Sequence, residues 1–144
     1  MQHLSYALKK CKYLHKYKYE LRNGNGLNRL TEASASSIGS LTNPSRIVNT
    51  FHSNNEKDVS VPTINNYLEY LQDAFIITQA KRYDVKGRRY ISTPSKFYFT
   101  DLGLRNEKLW FRQYEENHLM ENIFYNELLY RGFNVDVGVI EFSD

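Results

Sequence analysis

A chain of 144 residues, 41% hydrophobic and 24% charged, has room for one ordinary domain with a packed core, which excludes wholesale disorder. Its single cysteine, Cys11, excludes an internal disulfide, and its longest apolar clusters, such as Phe75-Ile76-Ile77, are far too short to cross a membrane. The net charge of +3 is concentrated: residues 1–22 hold six Lys or Arg against Glu20, and residues 81–96 hold six against Asp84.

The positive N-terminus lacks the apolar core of a secretory signal, so a cytoplasmic protein is expected. Along residues 1–22 only a broken helical stripe runs through Leu4, Leu8, Tyr13 and Tyr17. Tyr13, Tyr17 and Tyr19 alternate with Lys12, Lys16 and Lys18, a pattern that suits base stacking, although a solvated tail is the plainer reading. Arg22-Asn23-Gly24-Asn25-Gly26 then reads as a linker, making residues 1–26 a basic, peripheral leader.

Regular patterning begins at Leu27. Thr31 is placed to cap a short helix reaching Ile38, with Gly39 as its stop. Asn43-Pro44 predicts a capped helix through Ile47, Val48 and Phe51, closed by His52-Ser53-Asn54-Asn55. Ser60 and Pro62 open a third helix, with Ile64, Tyr67, Leu68, Leu71 and Phe75 on one face. Its other face carries Thr63, Asn65, Asn66, Glu69, Gln72 and Asp73.

Strands are predicted over residues 76–85 and 89–92, joined by a hairpin turn at Val85-Lys86-Gly87-Arg88, with another over residues 96–100 stopped by Asp101 and Gly103. Glu116 to Tyr130 reads as a long helix with Leu119, Met120, Ile123, Phe124, Leu128 and Leu129 on its apolar side and Gly132 as its stop. Residues 133–140 alternate like a strand. One helix and one strand cannot bury both their apolar faces, so a truncated second domain is expected.

The order of three helices and a basic hairpin is that of a winged helix-turn-helix. Ala35-Ser36-Ser37-Ile38-Gly39-Ser40, residues 63–75 and Arg82-Tyr83-Asp84-Val85-Lys86-Gly87 resemble the region behind the motor in prokaryotic AAA-type ATP-binding proteins. The likeness continues through residues 96–105 and Glu121-Asn122-Ile123-Phe124-Tyr125-Asn126-Glu127-Leu128. It implies an α+β chain: a winged helix over residues 27–104, then the first helix and strand of an incomplete restriction-endonuclease-like domain over residues 105–144. In that family the region is a domain of unknown function.

The family's phosphate loop, G-x-x-x-x-G-K-[ST], is absent, so neither ATP hydrolysis nor a bound cofactor is expected. By the resemblance Glu121 occupies the position of the acid on the first helix of the nuclease-like fold, whose later acids and Lys would lie beyond Asp144; complete members often look degenerate, so Glu121 reads as structural or vestigial. His3, His15, His52 and His118 have no metal-ligand spacing. No metal site, catalytic residue or small-molecule substrate is therefore expected, and the chain reads as a non-catalytic accessory module.

In a winged helix the third helix enters the major groove and the wing touches phosphates. Asn65 and Asn66 are the candidates for base edges, and Lys81, Arg82, Lys86, Arg88 and Arg89 for phosphates. Against DNA stand Glu69 and Asp73 on the same helix, and the lack of any Lys or Arg there. The partners to expect are DNA, or else the ATPase module or another protein through a packing role, and not a membrane.

Overall fold

The computed structural model describes residues 24–54, 58–87, 89–112 and 115–139, with the side chains of 89, 91–93 and 139 left aside. The expected leader falls almost wholly outside these residues. Among them the chain is α+β, with five helices and one four-stranded mixed sheet. None of the helices is long and apolar enough to cross a membrane.

Helix α1 spans Gly24–Ser36, strand β1 Leu41–Thr42, α2 Pro44–Ser53 and α3 Val61–Asp73. The expected linker at Gly24-Asn25-Gly26 is instead the first turn of α1, and Thr31 is buried in mid-helix, where its hydroxyl donates to Leu27 O at 2.8 Å. Tertiary packing overrides the turn preference of the glycines: a Cβ on Gly26 would lie 3.1 Å from Cε2 of Tyr67, so glycine lets α1 approach α3. Gly39 does follow the helix, at φ 69°, and its amide donates to Phe97 O. The caps of α2 and α3 form as the sequence predicts. Asn43 Oδ1 accepts from Ser45 N at 2.9 Å, and Ser60 Oγ accepts from Thr63 N.

Helix α3 buries Ile64, Tyr67, Leu68 and Leu71, but not Phe75, which stands 80% exposed at φ 56°. The helix ends two residues earlier, and Phe75 occupies the left-handed position of a Schellman turn: Phe75 N donates to Gln72 O and Ile76 N to Leu71 O. Turning there swings the side chain off the apolar stripe and delivers Ile76 and Ile77 to the core.

Strand β2 spans Ile77–Asp84, and β3 runs unbroken over Arg89–Phe99 where two strands were expected. Pro94 does not break it, because the β2–β3 register shifts between Ala80–Lys96 and Arg82–Ile91, leaving Pro94 in the irregular stretch where no ladder bond to β2 is required. Helix α4, Leu102–Lys108, is an element the sequence reading omits; Asp101 caps it by accepting from Gly103 N at 2.6 Å. The boundary expected after residue 104 falls inside α4, whose Leu104 and Arg105 are both buried, with Arg105 Nε donating to Ala35 O. Helix α5, Glu116–Tyr130, has the expected bounds and stops at Gly132, φ 83°. Of the strand expected over residues 133–140, Val137–Val139 forms β4.

The strand order is β1-β3-β2-β4, antiparallel except that β4 runs parallel to β2. Alternation divides the sheet's faces. Ile77, Phe97 and Phe99 join Leu30, Ile38, Phe51, Ile64 and Leu71 in the main core, while Ala80 and Tyr98 pack with Tyr125, Val135 and Val137. Helices α1 to α4 thus take one face and α5 the other.

Candidate nucleic-acid interface

Asn65 and Asn66 both lie exposed on α3, as a third helix used for recognition requires. They face different surroundings. Asn65 lines a cleft of about 160 Å³ between α3 and the sheet, with Thr42, Glu69, Gln72, Gln79 and Ser95, whereas Asn66 does not. Gln79 Nε2 donates to Ser95 Oγ at 2.9 Å across β2 and β3. This amide-and-hydroxyl cluster was not singled out from sequence, because its members come from four separate elements.

The cations sit farther along the hairpin. Lys81 is exposed at the register shift, and Arg82 is half-buried between Ile91 of β3 and Val137 of β4. Lys86 is exposed in the turn, where Asp84 Oδ1 accepts from Gly87 N at 2.9 Å, so one acid shapes the loop that carries the positive charge. Arg88 lies outside the described residues; Arg89 begins β3, opposite Asp84, and its side chain is not described. Next to the hairpin's turn Tyr83 and Tyr90 meet edge-on at 5.1 Å, and Tyr90 OH donates to Asp136 Oδ2 at 2.9 Å, which raises the Tyr90 hydroxyl above its usual value.

Glu121 belongs to a separate network on the other face of the sheet. Its Oε1 accepts from Lys96 Nζ at 2.6 Å and from Tyr98 OH at 2.7 Å, and Oε2 stands 3.8 Å from His118 Nδ1. Burial works to raise the carboxyl, but the hydrogen bonds from Lys96 and Tyr98, with the charges of Lys96 and His118, hold it below the usual carboxylate range. Burial and the bond to Glu121 push the Tyr98 hydroxyl well up. Gly39, whose φ of 69° favours glycine, lies against this network: a Cβ there would come within 2.9 Å of Glu121 Oε2 and push the carboxylate aside. Beside the network a cleft of about 220 Å³ opens between α5 and β4, lined by Phe124, Leu128, Val135 and Asp136. Among the described residues no group of His, Cys, Asp and Glu is arranged to hold a metal ion.

Asn122, one residue on from Glu121, does more structural work than the sequence suggested. It is fully buried, its Oδ1 accepts from Phe99 N and its Nδ2 donates to Phe99 O, both at 2.8 Å, while Asn126 Nδ2 also donates to Phe99 O. Two asparagines one turn apart inside a helix, where Asn is a poor former, were the available signal. The inward face of α5 is therefore Leu119, Asn122 and Tyr125, with Tyr125 stacked on Tyr98 at 4.1 Å. Of the expected apolar side, Leu119 is buried, but Met120, Ile123, Phe124, Leu128 and Leu129 are exposed. Apolar residues surround this helix, so their spacing could not select its inward face; the amide bonds to Phe99 do.

Comparison with known proteins bears on the same segments. An uncharacterized protein of Haemophilus influenzae is 39% identical over 107 residues, which make up 74% of this chain and 26% of that protein. The chain thus spans about a quarter of the length of this relative. No solved structure matches it. A family model described as a domain of unknown function, DUF8612, matches residues 15–115, a stretch that takes in α1 to α4 and β1 to β3 and stops before α5. With well over half its length matched, the chain belongs to the DUF8612 family.

Proposed function

We propose that this chain is a non-catalytic accessory module of an AAA-type ATP-binding protein, that residues 27–104 form a winged helix, and that this unit contacts DNA. The observation that carries the reading is topological. A short β1 lies between the first two helices and pairs with β3, the second strand of the hairpin that follows α3. That order puts a helix with exposed Asn65 and Asn66 beside a hairpin bearing Lys81, Arg82, Lys86, Arg88 and Arg89. The amides suit base edges and the cations suit phosphates. The non-catalytic part is supported by Glu121: its Oε1 is engaged by Lys96 and Tyr98, and the bonds tie α5 to the sheet. The restriction-endonuclease-like relation of α5 and β4 rests on the sequence resemblance.

Titration of labelled duplex DNA over a series of salt concentrations tests the reading. Replacing Lys86, Arg88 and Arg89 by Gln should weaken binding to unrelated sequences alike and lower the slope of log K against log salt by about 0.9 per lost phosphate contact. Asn65→Ala or Asn66→Ala should change discrimination at a single base position by about 1–3 kcal/mol. A second reading, a packing module for the motor or another protein, is favoured by Glu69 in the same cleft as Asn65, an acid that repels phosphate. DNA affinity indifferent to the triple change would favour that reading.

A further inference from the structure

The outer face of α5 has the character of an interior surface. Met120, Ile123, Phe124 and Leu128 follow the spacing of a buried helical stripe, yet all are exposed, Phe124 by 62%. Singly exposed apolar residues are ordinary, but a contiguous stripe along two turns of helix marks a contact surface. Its flanks carry charge in a particular order: Glu116 is exposed in the first turn, and Arg131, exposed just past the last, is held by Glu127 at 2.7 Å. A guanidinium has donors to spare beyond that pair.

We propose that this face binds a second copy of the chain, the two α5 helices packing antiparallel about a two-fold axis between Ile123 and Phe124. A two-fold interface requires a patch complementary to itself, and this one has that property. Positions 123 and 124, 120 and 127, and 116 and 131 are equidistant from one midpoint. Setting Ile123 against Phe124 of the second copy therefore sets Met120 beside Glu127 and Leu128, and Glu116 against Arg131, at both ends of the pair. Parallel packing would place Glu116 against Glu116 and Arg131 against Arg131. Antiparallel pairing alone sets acid against base at both ends, with Ile123 against Phe124 at the centre and the methylene stem of Glu127, whose carboxylate is turned to Arg131, against Met120. Phe124 and Leu128 also rim the cleft between α5 and β4, which gives a side chain of the second copy a place to enter. A single helix pair buries less than the roughly 1,200–2,000 Å² of a standard interface, so the dimer is a weak one that forms as concentration rises.

Sedimentation velocity on the full chain at low salt, from about 5 to 500 µM, reads this directly. A reversible monomer–dimer equilibrium is expected, weakened tenfold or more by Phe124→Glu. Glu116→Arg and Arg131→Glu should each weaken it, because each places like charges at both ends. Mixing the two single variants should restore association, since the mixed pair has opposite charges at both ends, and the double variant should do the same. All these positions are exposed, so circular dichroism should be unchanged; should Phe124→Glu lose its fold, the charge variants still decide. A chain that stays monomeric, a dimer indifferent to Phe124→Glu, or a mixture no better than either single variant would overturn the proposal.

Discussion

Asn122 fixes how the second half of the chain sits on the first. Its amide satisfies both backbone groups of Phe99, as a neighbouring strand would, in a site without access to water. Asn122→Ala leaves the Phe99 amide without that acceptor, and a loss of about 2 kcal/mol is expected in urea unfolding, within the ~1–3 kcal/mol cost of a buried unpaired group. Unchanged stability would mean that α5 is held by Leu119, Tyr125 and the bonds of Glu121 and Asn126 without help from Asn122. Glu121, its neighbour, makes stability depend on pH. Its carboxyl is lowered in the folded chain, so the contribution is complete above the ordinary value of 4.5 and disappears as pH falls through the folded-state value. Glu121→Gln should therefore be less stable than the parent near neutrality and approach it only as pH falls below the ordinary carboxylate value through the lowered folded-state one, as measured by thermal unfolding across a pH series. A stability gap of constant size through the acid range would contradict this. Glu121 itself was singled out from sequence only by the family resemblance, as a structural or vestigial acid. Its partners Lys96 and Tyr98 were not, since a strand and a helix more than twenty residues apart meet only in the fold.

Helix starts were the most legible elements, because a cap is a local signal. Asn43 and Ser60 begin α2 and α3 through bonds within three residues, and Gly132 ends α5 where a left-handed residue is needed. Where tertiary contact decides, the local signal fails. Gly24 to Gly26 form the first turn of α1, with Gly26 close against the Tyr67 ring, and β3 runs past Pro94 because the register shifts there. Phe75 is the sharpest case. It continues the apolar spacing of α3, yet holds the left-handed position that Gly usually fills, and Trp110 and Phe111 adopt similar angles after α4. Phe75→Gly should raise stability by about 0.5–1 kcal/mol, since relief of the left-handed strain exceeds glycine's entropy cost in the unfolded chain. Lower stability in chemical unfolding would mean that the ring makes contacts that outweigh its strain.

At the scale of the molecule, one sheet serves two layers. Its first face closes the core beneath α1 to α4, and its second receives α5 while β4 lengthens the sheet along β2. The helix–hairpin order of the first layer was readable in the sequence, whereas the docking of the second depends on side chains with no periodic signature. The outward stripe of α5 and the cationic hairpin then lie on different elements, so the proposed association of two copies and the proposed contact with DNA can be tested by separate mutations. Contact between the hairpin and phosphate is the proposal on which the function of the first layer rests. It is tested most directly by the salt dependence of duplex DNA affinity, compared between the parent chain and the Lys86, Arg88 and Arg89 triple Gln variant. Weaker binding to every sequence is expected, with a slope shallower by about 0.9 for each phosphate contact removed. Equal affinity and equal slope in the two proteins would contradict it.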